Sequence, residues 1–283
     1  MMVETVTLRG VPHYYEWVKS DSSTPKPVLV FMHGWGGSAR YWRNTAEILS
    51  DGFDCLLYDL RGFGRSPLPP DCTLGYELHD YADDLALLLD QLEIDQITLN
   101  AHSLGASIAA VFADRYCDRL QRLILTCSGI FAYNRITFPL FHRASEYVVK
   151  FRFPWFLNVP LAEHLFMSRF LHRPLPSAIS REFLADYLDA DQAAAMGTIY
   201  TAVSEQAAQT MPTVFQQIQA PTLLISGQKD QIIPPRLGRS AAALNPKITH
   251  IELAKTGHFP MLEVPDTYHP AVREFLELPN RAA

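Results

Sequence analysis

The feature that most restricts the fold is a series of short apolar runs at 28–32 (Val-Leu-Val-Phe-Met), 53–58, 96–99 and 120–125, separated by stretches of helical periodicity. A strand that is apolar at successive positions must be covered on both faces, which is the environment of a parallel sheet. The intervening pattern is clearest in Leu78, Tyr81, Ala82, Leu85, Leu88, Leu89 and Leu92, whose steps of three and four draw one apolar stripe. Asp80, Asp83, Asp84 and Asp90 are expected outside it. Strand and helix in alternation imply right-handed βαβ crossovers and a doubly wound, mostly parallel α/β sheet.

Ahead of the first run, the alternating stretches 3–8 and 13–18 flank Arg9-Gly10-Val11-Pro12 and read as an N-terminal antiparallel hairpin. They lack the basic and then apolar regions of a signal peptide. Beyond Leu125 the alternation stops. Over 130–212 there is no strong strand signal, and Pro139, Pro154, Pro160, Pro174 and Pro176 divide the segment into short helical pieces. The pattern resumes with a strand at 222–226, a helix at 237–244, a strand at 247–253 and a helix ending near Leu276. The expected organisation is an α/β core of residues 1–129 and 213–283 with a helical lid inserted at 130–212.

Composition removes several function classes. The chain has 283 residues, 48% of them hydrophobic, enough for one large core. Its net charge of -6 argues against a nucleic-acid partner, which needs a basic footprint. Cys55, Cys72, Cys117 and Cys127 have no paired spacing and no partnering histidine cluster, so they read as reduced thiols with no metal site. No apolar run approaches the roughly 20 residues of a membrane span. A cytoplasmic protein is expected, with its oligomeric state open. No G-x-G-x-x-G follows the first strand and no Walker lysine is present, so no cofactor is implied.

The chemistry concentrates where strands end. After the 96–99 strand comes Ala101-His102-Ser103-Leu104-Gly105, with small residues following at the head of a helix. A serine on a tight strand-to-helix turn needs tiny neighbours two positions to either side, as in G-x-S-x-G; alanine stands here for the first glycine. The first parallel strand ends in His33-Gly34-Trp35-Gly36-Gly37, a loop able to turn amides inward. The serine needs a base, and His258, in Lys255-Thr256-Gly257-His258-Phe259-Pro260 after the last strand, falls at the same carboxyl edge. A carboxylate must orient that base. Asp230, which follows the 222–226 strand in Gly227-Gln228-Lys229-Asp230, is a candidate, although an isolated aspartate after a strand more often caps a turn. His33 and His102 are expected to line the pocket or support it. Asp59 is expected to brace the loop 62–66 and pair with an arginine.

With its His-Gly-x-Gly loop, the run Asp59-Leu60-Arg61-Gly62-Phe63-Gly64-Arg65-Ser66 and the serine elbow, the sequence resembles the α/β-hydrolase superfamily over nearly its whole length. The resemblance implies a triad of Ser103, Asp230 and His258, and an oxyanion hole made by the backbone N–H groups of Trp35 and Leu104. It further implies a serine hydrolase that cleaves a carboxylic ester through an acyl-enzyme. Carbon–carbon bond hydrolases of the meta-cleavage-product type and haloperoxidases look similar, and a binder that has lost turnover is the alternative outside enzymology. Dehalogenases and epoxide hydrolases carry an aspartate where Ser103 stands.

The inserted segment bears on substrate. Residues 130–212 hold 14 aromatics, about 17% against 11% for the chain. Between Arg135 and Arg173 there are six Arg and Lys against Glu146 and Glu163. A hydrophobic substrate pocket is expected beneath this segment; its aromatics are read either as packing it on the core while the arginines reach solvent, or as a peripheral contact with an anionic membrane.

Overall fold

The computed structural model describes residues 2–20 and 24–279. In chain order its strands are β1 (Met2–Leu8), β2 (Val11–Val18), β3 (Val28–Met32), β4 (Asp54–Tyr58), β5 (Ile97–His102), β6 (Leu120–Thr126), β7 (Thr222–Gly227) and β8 (Ile248–Leu253). The α-helices are α1 (Arg43–Leu49), α2 (Leu78–Gln91), α3 (Leu104–Arg115), α4 (Thr137–Lys150), α5 (Ala162–Met167), α6 (Ser177–Asp189), α7 (Gln192–Ala202), α8 (Glu205–Gln217), α9 (Pro235–Ala242), α10 (Pro260–Glu263) and α11 (Pro265–Phe275). No helix among the described residues is long and apolar enough to cross a membrane.

All eight strands form one sheet in the order β1-β2-β4-β3-β5-β6-β7-β8. Only β2 runs against the rest, pairing antiparallel with both β1 and β4. Its hairpin closes in two residues, Arg9 and Gly10, both at positive φ (51° and 83°), so Val11 and Pro12 belong to the strand rather than to the turn. Pro12 is tolerated because β4 pairs only with 15–18, leaving Pro12 with one neighbour, β1.

The apolar runs are covered on both faces. On β3, Val30 and Met32 join a core with Leu85, Ala106, Phe112 and Phe215 of α2, α3 and α8. Leu29 and Phe31 face the other way, toward Trp42, Leu49, Tyr268 and Val272 of α1, α11 and the turn before α1. Each such side chain contributes about 1.5–3 kcal/mol on burial.

One expectation on α2 is overturned: Asp84 is buried. Its carboxylate takes the Arg61 Nε at 2.5 Å, and that guanidinium, also fully buried, lies 4.2 Å over the Tyr81 ring. A carboxylate enters the apolar stripe here because a buried arginine meets it. Asp59 braces the 62–66 loop and pairs with an arginine as expected: Arg65, at 2.7 and 3.0 Å.

Between β6 and β7 the chain is helical, from α4 to α8. Pro154, Pro160, Pro174 and Pro176 fall between its α-helices as expected, but Pro139 does not break one. Pro139 is the third residue of α4, where a helix N–H has no intrahelical partner. Pro212 lies inside α8, which continues to Gln217, past the expected boundary at 212, because Met211 and Phe215 are buried in the main core.

Candidate active site

Chain reversal at β3 places the ends of β3 and β5 side by side at the carboxyl edge, the crevice where ligands bind in sheets of this kind. Ser103 stands between β5 and α3 at φ 55°, ψ -118°, a conformation that a non-glycine residue adopts only when its surroundings enforce it. The enforcement is visible. The Ser103 N–H donates to Thr126 O at 2.9 Å, and its carbonyl accepts the Ser107 N–H at 3.1 Å. The small flanking residues are required: Ala101 is fully buried, and a Cβ on Gly105 would lie 2.4 Å from His33 O.

The three residues expected to act together do meet. His258 Nε2 lies 3.0 Å from Ser103 Oγ, and its Nδ1 lies 2.7 Å from Asp230 Oδ2. The second oxygen of Asp230 accepts the N–H groups of Ile232 and Ile233 at 2.8 and 3.0 Å. Burial alone would raise this carboxyl's pKa; the His258 charge and hydrogen bond, with those two amides, outweigh it and hold the pKa below its usual value. Asp230 is therefore the anionic end of the line.

Trp35 and Leu104 flank the serine. Leu104 opens α3, and a Cβ on Gly34 would come within 3.1 Å of Ser103 Cβ, which puts the 34–35 peptide against Ser103. Among the described residues neither the Trp35 nor the Leu104 amide donates to a protein acceptor. Both are available for an anion at the positive end of α3.

His33 and His102 turn out to be supports. His102 Nε2 must donate to His258 O at 2.7 Å, since a carbonyl only accepts; its Nδ1 then accepts a hydrogen bond from the Tyr41 hydroxyl at 3.0 Å, and Tyr41 in turn accepts the Gly34 N–H at 2.6 Å. This relay ties the glycine loop, the elbow and the His258 loop together. Burial, then the charge of His258, keeps His102 well below an ordinary histidine pKa and hence neutral. His33 links the β3 and β4 ends, bonding Gly34 O and accepting the Leu60 N–H at 2.9 Å. His102, Cys127 and His258 bring ligand atoms within 4.8 Å of one another. The ring nitrogens of both histidines are already committed to the bonds above, so the cluster reads as part of the site rather than as a metal centre.

Glu263 is the residue that sequence reasoning missed. Buried on α10, it accepts backbone N–H groups from Gly257, His172 and Arg173 on Oε2 (3.0, 2.8 and 2.9 Å) and from Phe259 on Oε1 at 3.2 Å. It thus clamps the His258 loop to the inserted helices. Nothing in Pro-Met-Leu-Glu signals this, because every donor is main chain. Glu263→Ala strands four amides and is expected to lower stability by about 3 kcal/mol and kcat by about 10–100-fold. Glu263→Gln, which keeps an acceptor at Oε2, should recover most of both; kcat for Glu263→Ala equal to wild type would refute the positioning role.

The inserted helices roof the site with rings. Centroid contacts run from Trp35 to Tyr187 (5.9 Å), Tyr187 to Phe166 (4.7 Å), Phe166 to Phe170 (5.5 Å) and Phe170 to His258 (6.3 Å). Polar bonds fix the roof: Trp35 Nε1 donates to Ala195 O at 2.9 Å, and Arg152 Nη1 to Tyr187 O at 3.0 Å and Ala190 O at 2.6 Å. Asp186 of α6 accepts Ser38 Oγ at 2.5 Å and Arg40 Nη1 at 2.9 Å.

Burial, only partly offset by those partners, raises the Asp186 pKa from 3.8 to about 6. Between these values the folded chain holds a proton that the unfolded chain has released. The group's stabilising contribution is therefore full below about pH 4 and is lost as the pH rises through 6, a change of about 3 kcal/mol. Urea unfolding at several pH values should show the stability of wild type relative to Asp186→Asn falling across that window. A difference independent of pH would contradict it.

These features define a hydrolase. A model of the alpha/beta hydrolase fold matches residues 27–265, and the chain belongs to that family. A relative from Pseudomonas savastanoi named RutD, a candidate carbamate hydrolase, is 30% identical over 257 residues, covering 88% of this chain and 93% of its own. YugF of Bacillus subtilis, named an uncharacterized hydrolase, is 24% identical over 97% of this chain and 98% of its own. Among solved structures, a bromoperoxidase from Bacillus anthracis superposes with a TM-score of 0.81 at 21% identity, covering 98% of this chain and 100% of that one.

Proposed function

We propose that this hydrolase cleaves a carboxylic ester carrying a sizeable apolar part, with Ser103 as nucleophile. The observation that carries the reading is the hydrogen-bonded line from Ser103 Oγ through His258 to Asp230, at 3.0 and 2.7 Å. In this scheme Ser103 Oγ attacks the ester carbonyl while His258 Nε2 takes its proton, and Asp230 stabilises the imidazolium. The carbonyl oxygen, now negative, is held by the Trp35 and Leu104 amides, each donor supplying about 10²–10³ in rate. His258 returns the proton to the departing alcohol. A water then gives its proton to His258 and attacks the acyl-enzyme, releasing the acid and restoring Ser103.

The aromatic roof supports an apolar substrate, since pockets of this composition hold their ligands mainly by burying surface. In this reading residues 130–212 act as the lid and 1–129 with 213–283 as the catalytic core. A carbamate presents the same kind of acyl carbon and, from the name of the 30% relative, is the second substrate class to test.

A fluorophosphonate probe tests the nucleophile without knowledge of the substrate. The expected result is one adduct, mapped to Ser103 by mass spectrometry and absent from Ser103→Ala. Folded protein that takes no adduct would overturn the reading.

A further inference from the structure

The exposed apolar surface of this molecule is not scattered. Of the large hydrophobic side chains exposed among the described residues, all but Leu87 lie between Tyr133 and Leu165, in α4, α5, the segment between them and the few residues leading into α4. Ile136 is 72% exposed, Leu161 68%, Leu165 78% and Trp155 57%. Single exposed hydrophobics need no explanation, but a continuous patch on one element marks an interaction surface. The rings form one array: Tyr147 stacks on Phe151 (6.0 Å), Phe151 meets Phe153 (6.1 Å), and Phe153 stacks on Trp155 (6.0 Å).

Cations share this surface. Arg135, Arg143 and Arg169 are exposed in or beside the same segment, Lys150 is exposed and paired with Glu146 at 3.2 Å, and Arg152 is turned inward to the carbonyls of Tyr187 and Ala190. A positive region on a chain of net charge -6 has a specific complement, a negatively charged surface. Aromatic rings with aliphatic neighbours, flanked by Lys and Arg, match the boundary of an anionic bilayer, where rings sit at headgroup depth and cations meet phosphates. The patch also leads inward. Trp155 abuts Phe156 edge to face at 4.5 Å, and Phe156 packs into the cluster of Leu184, Tyr187 and Trp35 above Ser103.

We infer that the surface formed by α4, α5 and the residues between them docks the protein on an anionic phospholipid bilayer, from which an apolar ester passes along Trp155 and Phe156 to Ser103. The docking stands independently of catalysis; only the delivery step rests on the hydrolase reading.

The test uses the full chain carrying Ser103→Ala, so that no turnover perturbs the lipid, and vesicle flotation. At low salt the protein is expected to float with phosphatidylcholine–phosphatidylglycerol vesicles and to bind at least about 10-fold less to phosphatidylcholine alone or at about 0.5 M salt. Adding Tyr147→Ser, Phe151→Ser and Trp155→Ser, with an unchanged melting temperature, should abolish flotation. Absence of flotation on anionic vesicles at low salt, or flotation that survives the three serines, would overturn the proposal. So would a dimer in sedimentation that these serines dissociate, in a protein that does not float. Fluorophosphonate labelling of the Ser103-containing protein reports on the hydrolase reading separately.

Discussion

Ser103→Ala is expected to lower kcat on p-nitrophenyl esters by about 10⁴–10⁶-fold, leaving only the rate that oxyanion donors and substrate binding supply without a nucleophile. Alanine removes one oxygen and keeps the Cβ, so the elbow and its bonds to Thr126 and Ser107 remain, and the melting temperature should stay within about 5 °C. Asp230→Asn is the informative companion. It preserves shape but presents an amide to His258 Nδ1, favouring the wrong tautomer, and is expected to cost about 10⁴-fold. Were Ser103→Ala to keep more than about a hundredth of the activity, the nucleophile would lie elsewhere.

The second large effect is expected from a residue that touches no substrate. A Cβ on Gly227, the last residue of β7, would sit 1.9 Å from Gly257 O and 2.7 Å from Thr256 O. Both obstacles are main chain, so no rotamer change relieves them. Gly227 lies three residues before Asp230 and Gly257 immediately precedes His258; Gly227→Ala therefore drives apart the two loops that must meet at 2.7 Å. A displacement near 1 Å is enough to cost about 10² in kcat, and the overpacking about 1–3 kcal/mol of stability. Kinetics with a small ester and urea unfolding on the same preparation check both. Wild-type kcat would show that the loops can yield without separating His258 from Asp230.

The parallel sheet was readable because β3, β4 and β6 are buried on both faces and so carry nearly continuous apolar sequence. The end of β5 was not. Asn100-Ala101-His102 does not look like a strand, yet Asn100 is buried against the Tyr268 hydroxyl and His102 against Tyr41 and His258, partners remote in sequence. The same holds for Asp84, placed in solvent by periodicity and drawn inside by Arg61. Ser103, Asp230 and His258 could be picked out because each follows a strand at one edge of the sheet. Glu263 could not, since its clamp is made of four backbone amides that carry no residue identity. In general, what the solvent dictates to one element is visible locally, and what two distant polar groups arrange between themselves is not.

The hydrogen bond from His258 N–H to Phe170 O, at 2.7 Å, gives the roof a second meaning. His258 hangs from the very segment that packs against its ring. A roof that swung away as a unit would take this bond with it, together with the Glu263 clamp on His172 and Arg173, and His258 would lose its fixed aim at Ser103. The open molecule would then be chemically disarmed, and rearming would coincide with closure. On the proposed mechanism, admission through such an opening and reaction at Ser103 would exclude one another.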